Sequence, residues 1–289
     1  MTSYRFCTLY SGSGGNAAYL ETPGARILID AGKCARTLVA SLSSVGVPID
    51  TVDAIFVTHE HSDHIAALEV LTRKHPIPVH MLYASARRFA RTQPQALCAC
   101  LKLHKAPDFT ATVGDVQVTA FPTPHDSRAS VGYRFDITAG DSRLSVGLAT
   151  DMGTVTESVR THLRGCEAVV LESNHDVDML MEGPYPYDLK LRIRSRHGHL
   201  SNRDCADFAA ELADTGTRHI LLAHLSEQNN APELAYDETA SALAGTGVSL
   251  RVASPNEVTM LVGERDAPIP KISREVAADP LPDREVQTV

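Results

Sequence analysis

Apolar residues in the first third of the chain come in short blocks separated by Gly-containing turns. Tyr4 to Tyr10, Asn16 to Glu21 and Arg26 to Asp30 predict three strands, with Ser11-Gly12-Ser13-Gly14-Gly15 a tight loop and Pro23-Gly24 a hairpin turn. Apolar positions of helical period predict a helix from Ala35 to Val45, closed by Gly46 and Pro48, and the β-branched run Val52 to Thr58 predicts a buried strand. A helix over Ile65 to Lys74 and a strand over Pro78 to Leu82 follow, whereas Ala84 to Lys105 starts helically and then loses its period. Val116 to Phe121, Ser130 to Ile137 and Arg143 to Thr150 predict three more strands, the last two joined by a turn at Gly140-Asp141. Next come a helix from Thr154, a strand Ala168 to Leu171, and helices Leu189 to Arg196 and Asn202 to Ala213, the second capped by Ser201 or Asn202. The strand His219 to Ala223 ends at His224, and Pro232 to Ala244, Val248 to Ala253 and Val258 to Val262 complete the domain.

Two strand-rich halves, each followed by helices, predict an α/β sandwich of two mixed sheets flanked by helices. Residues 1–263 are expected to form one catalytic domain. Prolines at 268, 270, 280 and 282 with interleaved charges predict a flexible tail over 264–289.

Composition narrows the picture. A chain of 289 residues, 43% hydrophobic, supports a sizeable core. The first residues lack a basic segment leading into an apolar one, and no apolar run reaches the roughly 18 residues of a membrane span, so a soluble, cytoplasmic protein is expected. A net charge of −8 argues against a broadly basic coat for nucleic acid. A local groove is still open to it: Lys190, Arg192, Arg194, Arg196 and Arg203 lie beside His197 and His199 with no intervening acid, reading either as such a groove or as a solvated helix face. The six cysteines are scattered without a Cys-x-x-Cys and read as reduced, mostly buried thiols.

The thirteen histidines matter more through their placement. In His59-Glu60-His61-Ser62-Asp63-His64, directly after a buried strand, His59 and His61 can reach one metal, while Asp63 and His64 turn onto the next helix toward a second. Neutral imidazoles with carboxylates suit zinc or manganese. Two metals need further ligands, and His125, Asp151 and His224 are available at or near later strand ends, although Asp151 before Met152-Gly153-Thr154 reads equally as a helix cap.

This run with its later single ligands resembles the metallo-β-lactamase superfamily over residues 4 to 262. The resemblance implies an αββα sandwich with His59, His61 and His125 on one metal, Asp63, His64 and His224 on the other, and Asp151 bridging. Ser11-Gly12-Ser13-Gly14-Gly15-Asn16, Leu28-Ile29-Asp30-Ala31-Gly32, Glu172-Ser173-Asn174-His175-Asp176 and Gly198-His199-Leu200-Ser201-Asn202 together resemble the YycJ/WalJ-type branch, whose members act as DNA exonucleases from the 5′ end. No basic arm of the kind transfer-RNA-processing relatives carry, and no inserted β-CASP domain, is present.

Phosphodiester hydrolysis needs an activated water, charge stabilisation at phosphorus and a proton for the departing 3′-oxygen. Two divalent metals with Asp63 and Asp151 would supply the first two. His199, oriented by Glu172, is the expected acid, similar to a Glu and His pair of transfer-RNA nucleases. His175 and Asp176 are candidates to support the ligands from behind, and the Gly-rich loop reads as a phosphate nest or a plain turn. The expected substrate is nucleic acid, DNA rather than RNA. The rival readings are a hydrolase of a small ester, thioester, lactone or cyclic nucleotide, and a non-catalytic metal-binding regulatory protein.

Overall fold

A computed structural model describes residues 4–89, 95–139 and 142–263. The tail and the Gly140-Asp141 turn lie outside the described residues.

Six strands, β1 (Arg5–Tyr10), β2 (Ala17–Glu21), β3 (Arg26–Ile29), β4 (Ala54–Phe56), β5 (Val79–Leu82) and β6 (Leu101–His104), form one sheet in chain order. Seven more, β7 (Thr110–Val113), β8 (Val116–Thr123), β9 (Ser130–Ala139), β10 (Ser142–Ala149), β11 (Ala168–Glu172), β12 (His219–Ala223) and β13 (Ser249–Val252), form the second, again in chain order. The last, β14 (Thr259–Val262), returns to pair antiparallel with β1 and closes the first sheet at seven strands. Both sheets are mixed: β3 to β6 are parallel, as are β10 to β13, while β1 to β3 and β7 to β10 are antiparallel.

Burial on both faces explains the apolar runs. Between the sheets, Phe6, Leu20, Ile27 and Phe56 pack against Val118, Tyr133, Phe135 and Leu148. The outer face of the first sheet, carrying Leu28, Ile55 and Val79, is covered by α1 (Ala35–Ser43) and by α3 (Leu68–Lys74), which follows the short α2 (Ser62–Ile65). In chain order come α4 (Tyr83–Phe89), α5 (Gln95–Cys100), α6 (Glu157–Leu163), α7 (Val177–Glu182), α8 (Tyr187–Ile193), α9 (Asn202–Asp214) and α10 (Pro232–Ala242). Val159 and Leu163 of α6 and Phe208 and Leu212 of α9 cover Val169 and Leu171 on the second sheet. The architecture is the expected αββα sandwich.

Several elements differ from the sequence reading. The strand expected over Val52 to Thr58 spans only Ala54–Phe56, and a 3-10 turn, Ile49–Thr51, precedes it. The helix expected over Ile65 to Lys74 is two helices, with His61 at the entry to the first. The aperiodic stretch before Lys105 resolves into α5 and the edge strand β6, each too short to show a period. β7 and α7 lay in segments with no predicted element. Cys7, Cys100, Cys166 and Cys205 are buried, and among the described residues none of the six cysteines is joined in a disulfide. Among the described residues, no helix is long and apolar enough to cross a membrane.

One ion cluster lies inside this frame. Glu21 is fully buried, accepts from Arg26 Nε at 2.8 Å and pairs with Arg5, whose Nη1 donates to Val45 O at 2.8 Å. Removing a single partner strands the buried guanidinium, so Glu21→Ala should cost about 3–5 kcal/mol of stability. Urea unfolding would measure it, and a loss below about 1 kcal/mol would show that water reaches Arg5.

Candidate metal centre

The alternation of strand direction gathers the candidate residues. β8 and β10 are both antiparallel to β9 and therefore run the same way, and β11 and β12 are parallel to β10, so the C-terminal ends of all four emerge at one edge. Those ends deliver His125, Asp151, Glu172 and His224. Facing them, the C-terminal end of β4 in the other sheet leads into His59, and α2 opens with Asp63 and His64 on its first turn. Ligand sites in sheets of this kind collect outside the carboxyl ends of parallel strands.

The donor atoms converge closely. His61 Nδ1 lies 3.0 Å from His59 Nε2 and 3.3 Å from His125 Nε2. On the other side, His64 Nε2 is 3.2 Å from Asp63 Oδ2 and 3.3 Å from Asp151 Oδ2, and His224 Nε2 is 3.7 Å from Asp63 Oδ2. Asp151 stands between the groups, its Oδ1 3.7 Å from His125 Nε2 and 3.5 Å from His224 Nε2. A tetrahedral cation with bonds of about 2.1 Å has donor-to-donor edges of about 3.4 Å, which is the spacing seen. Among the described residues Asp151 Oδ2 and His224 Nε2 are buried without a hydrogen-bond partner, a costly state that a cation would satisfy. In donor chemistry and spacing the cluster fits a divalent cation.

Behind the donors, fixed partners aim the rings. His64 Nδ1 sits 2.8 Å from Asp30 Oδ2, and Asp30 also accepts from the backbone N–H of Thr58 at 2.8 Å. His59 Nδ1 lies 3.1 Å from Thr58 Oγ1, His125 Nδ1 reaches Gly198 O at 3.2 Å, and His224 Nδ1 reaches Glu172 Oε1 at 3.1 Å. Each of these four imidazoles thus presents Nε2 to the centre, as outer partners of metal-binding histidines require. Burial pushes His59 and His125 below the ordinary imidazole range, keeping them neutral and fit to ligate. Burial also raises the Asp151 carboxyl, but the surrounding His224, His64, His59 and His125 outweigh it and hold the group well below its usual range. Its carboxylate is therefore ionised.

The chain is forced locally to achieve this. Asp30, Asp151 and His224 all adopt left-handed backbone angles, with φ of 60°, 56° and 58°, conformations that side chains beyond glycine rarely take. Gly32 is required for a different reason. A Cβ there would lie 1.9 Å from Asp63 O and 2.5 Å from Asn16 N. Gly32→Ala should displace α2 with its Asp63 and His64, costing about 1–3 kcal/mol in a thermal or denaturant melt and lowering metal uptake. An unchanged melt with full metal content would contradict that account.

Glu172 does more than the sequence reading assigned it. Fully buried at the end of β11, it accepts from His199 Nδ1 at 2.7 Å and His224 Nδ1 at 3.1 Å through one oxygen, and from Met152 N at 2.7 Å through the other. It therefore orients a metal-centre histidine, the expected acid, and the turn after Asp151 together. Burial raises its carboxyl, yet His199 and His224 outweigh this and hold it below its usual range. His199 Nδ1 lies 3.9 Å from Asp151 Oδ1, and the ring is partly open to solvent.

Other candidates land elsewhere. Asp176 caps α7 through Met179 N at 2.8 Å, and among the described residues neither it nor the His175 side chain hydrogen-bonds a residue of the centre. The Gly-rich loop is a tight turn, closed by Gly15 N to Gly12 O at 3.0 Å, that braces the centre: Ser11 Oγ accepts from His224 N at 2.9 Å, and Asn16 Nδ2 lies 3.3 Å from Asp63 Oδ2. The five cations between 190 and 203 do not form one groove. Lys190 is buried, donating to Met181 O at 2.7 Å, whereas Arg192, Arg194, Arg196 and Arg203 are exposed, Arg192 pairing with Asp126 at 2.6 Å. Asp30, Thr58 and the Gly198 carbonyl were not singled out from the sequence as partners. Asp30 and Gly198 lay within segments carrying the family resemblance, and no signal marked Thr58.

A sandwich of this topology with a His and Asp cluster at its strand ends defines a class, and the chain belongs to it: the sequence model of the β-lactamase superfamily domain matches residues 25–225. Relatives that match most of the chain carry the name exodeoxyribonuclease. It is 35% identical over 268 residues to exodeoxyribonuclease WalJ of Streptococcus pneumoniae, covering 89% of this chain and 97% of that protein. It is 37% identical over 246 residues to exodeoxyribonuclease YycJ of Bacillus anthracis, covering 84% and 90%. This is the expected YycJ/WalJ branch. The metallo-β-lactamase fold protein YhfI from Bacillus subtilis superposes with a TM-score of 0.67 at 18% identity, covering 90% of this chain and all of that one, which is a likeness of fold.

Proposed function

We propose that the chain is a two-metal phosphodiesterase acting as an exonuclease on DNA from the 5′ end. The observation that carries this reading is the Glu172–His199 pair beside the metal centre: a bond whose leaving group is a poor alkoxide requires a proton donor, and β-lactam or thioester hydrolysis has less need of one. The relatives named exodeoxyribonucleases support it across most of the chain.

His59, His61 and His125 would hold one cation, Asp63, His64 and His224 the other, and Asp151 both, with zinc or manganese the matching ions. When bound, the cations supply an activated water and positive charge at phosphorus. Because Glu172 occupies Nδ1 of His199, the proton available for transfer is on Nε2. As water oxygen bonds to phosphorus and the P–O3′ bond breaks, that proton passes to the 3′-oxygen, leaving a 5′-phosphate and a 3′-hydroxyl. The charge of Glu172 stabilises the imidazolium before transfer and sets the ring's orientation.

The test is metal-dependent cleavage of 5′-labelled and 3′-labelled single- and double-stranded DNA and RNA, with Asp63→Ala as the control. Release of the 5′ label from DNA that Asp63→Ala abolishes is the expected result. Silence on every polymer with turnover of small esters would replace this reading by the small-molecule one.

A further inference from the structure

The centre lies at the bottom of a cleft of about 320 Å³ whose two sides differ in chemistry. One side is the metal-centre residues. The other is supplied by the segment running from α7 into α8: Tyr185 precedes α8, Leu189 and Ile193 stand one helical turn apart on it, and Arg192 and His197 complete the lining. An apolar wall facing a phosphate-handling floor suits a ligand with an anionic end and a flat apolar end. This size, near the lower limit of small-molecule pockets, suits one nucleotide better than a base pair.

We infer that the wall of Tyr185, Leu189 and Ile193 is a nucleoside subsite that takes the base of the 5′-terminal nucleotide, unpaired from its partner strand, while the phosphate on that nucleotide's 3′-oxygen sits at the metal centre. This deepens the exonuclease reading and rests on it. Stacking on an aromatic ring and aliphatic side chains is tolerant of base identity, since every base has a π-face, so the subsite accepts all four nucleotides. Arg192 Nε is engaged by Asp126, the residue after His125, at 2.6 Å, and among the described residues its terminal nitrogens have no recorded protein partner. Arg192 lines the same cleft, and its planar fork is suited to the neighbouring phosphate.

The probes are the four deoxynucleoside 3′-monophosphates and inorganic phosphate, bound to the metal-loaded protein and followed by calorimetry and by inhibition of DNA cleavage. All four nucleotides should bind about tenfold or more tightly than phosphate, and within a few-fold of one another. Tyr185→Ala should remove most of that advantage while shifting phosphate affinity less than twofold, Tyr185→Phe should restore it, and Ile193→Ala should weaken it partially. Single-stranded or frayed ends should be preferred over blunt duplex ends through KM. Nucleotides binding no better than phosphate, or a Tyr185→Ala loss equal for both probes, would overturn the subsite even in an active exonuclease. Tight, Tyr185-dependent nucleotide binding in a protein that cleaves no polymer would keep the subsite and remove the exonuclease reading.

Discussion

Asp151→Ala is expected to abolish hydrolysis and to empty the centre of at least one cation. Asp151 is ionised, buried, and within 3.3 to 3.7 Å of His64, His125 and His224, so its loss removes the one negative charge shared by both halves. The remaining imidazoles would crowd lone pairs together with one anion fewer to hold the cations. Metal charge at phosphorus is worth several kcal/mol, and each ~1.4 kcal/mol is tenfold in rate, so the deficit should reach roughly 10³-fold or more. Elemental analysis of the purified variant beside its turnover number would check both parts. Full metal content with near-normal turnover would remove Asp151 from the shared position.

The second large effect separates His199 from Glu172. His199→Ala should slow DNA cleavage by roughly 10²- to 10⁴-fold, the range for a lost general acid, with metal content intact. The deficit should shrink sharply on a p-nitrophenyl phosphodiester, whose leaving group departs without a proton. Glu172→Gln should differ in kind. An amide has one acceptor oxygen where the carboxylate serves His199, His224 and Met152 N with two, so both the acid and a metal-centre histidine lose their orientation. Metal affinity should fall about 10- to 100-fold, the usual consequence of losing an outer partner, and both substrates should suffer. A Glu172→Gln protein that binds metal normally and behaves as His199→Ala does would reduce Glu172 to the single role read from the sequence.

That double role marks the limit of what the sequence made legible. The run His59 to His64 was readable because a loop after a buried strand packs several ligands into six residues, a pattern that needs no knowledge of the rest of the chain. His125, Asp151 and His224 were readable as lone residues after strands, and the family resemblance turned them into a set. The partners that aim the rings were not readable: Asp30 meets His64 across 34 residues and His125 meets a Gly198 carbonyl across 73, contacts that only the sheet topology creates. The basic stretch, which read either as a groove or as a solvated helix face, was only partly legible for a related reason. Charge along the chain says nothing of whether α7 will cover Lys190, and it does. The sandwich itself was legible from alternating and continuous apolar runs, while β7 and α7 were too short to carry a period.

The left-handed backbone at Asp30, Asp151 and His224 also bears on how such a protein can be engineered. Each such residue costs of order 1–3 kcal/mol, and glycine at the same place would recover part of it. A laboratory selection that rewards heat resistance alone would therefore be drawn to these three codons and would trade the catalyst away for a sturdier shell, so any stabilisation campaign on this scaffold has to screen for turnover in the same round.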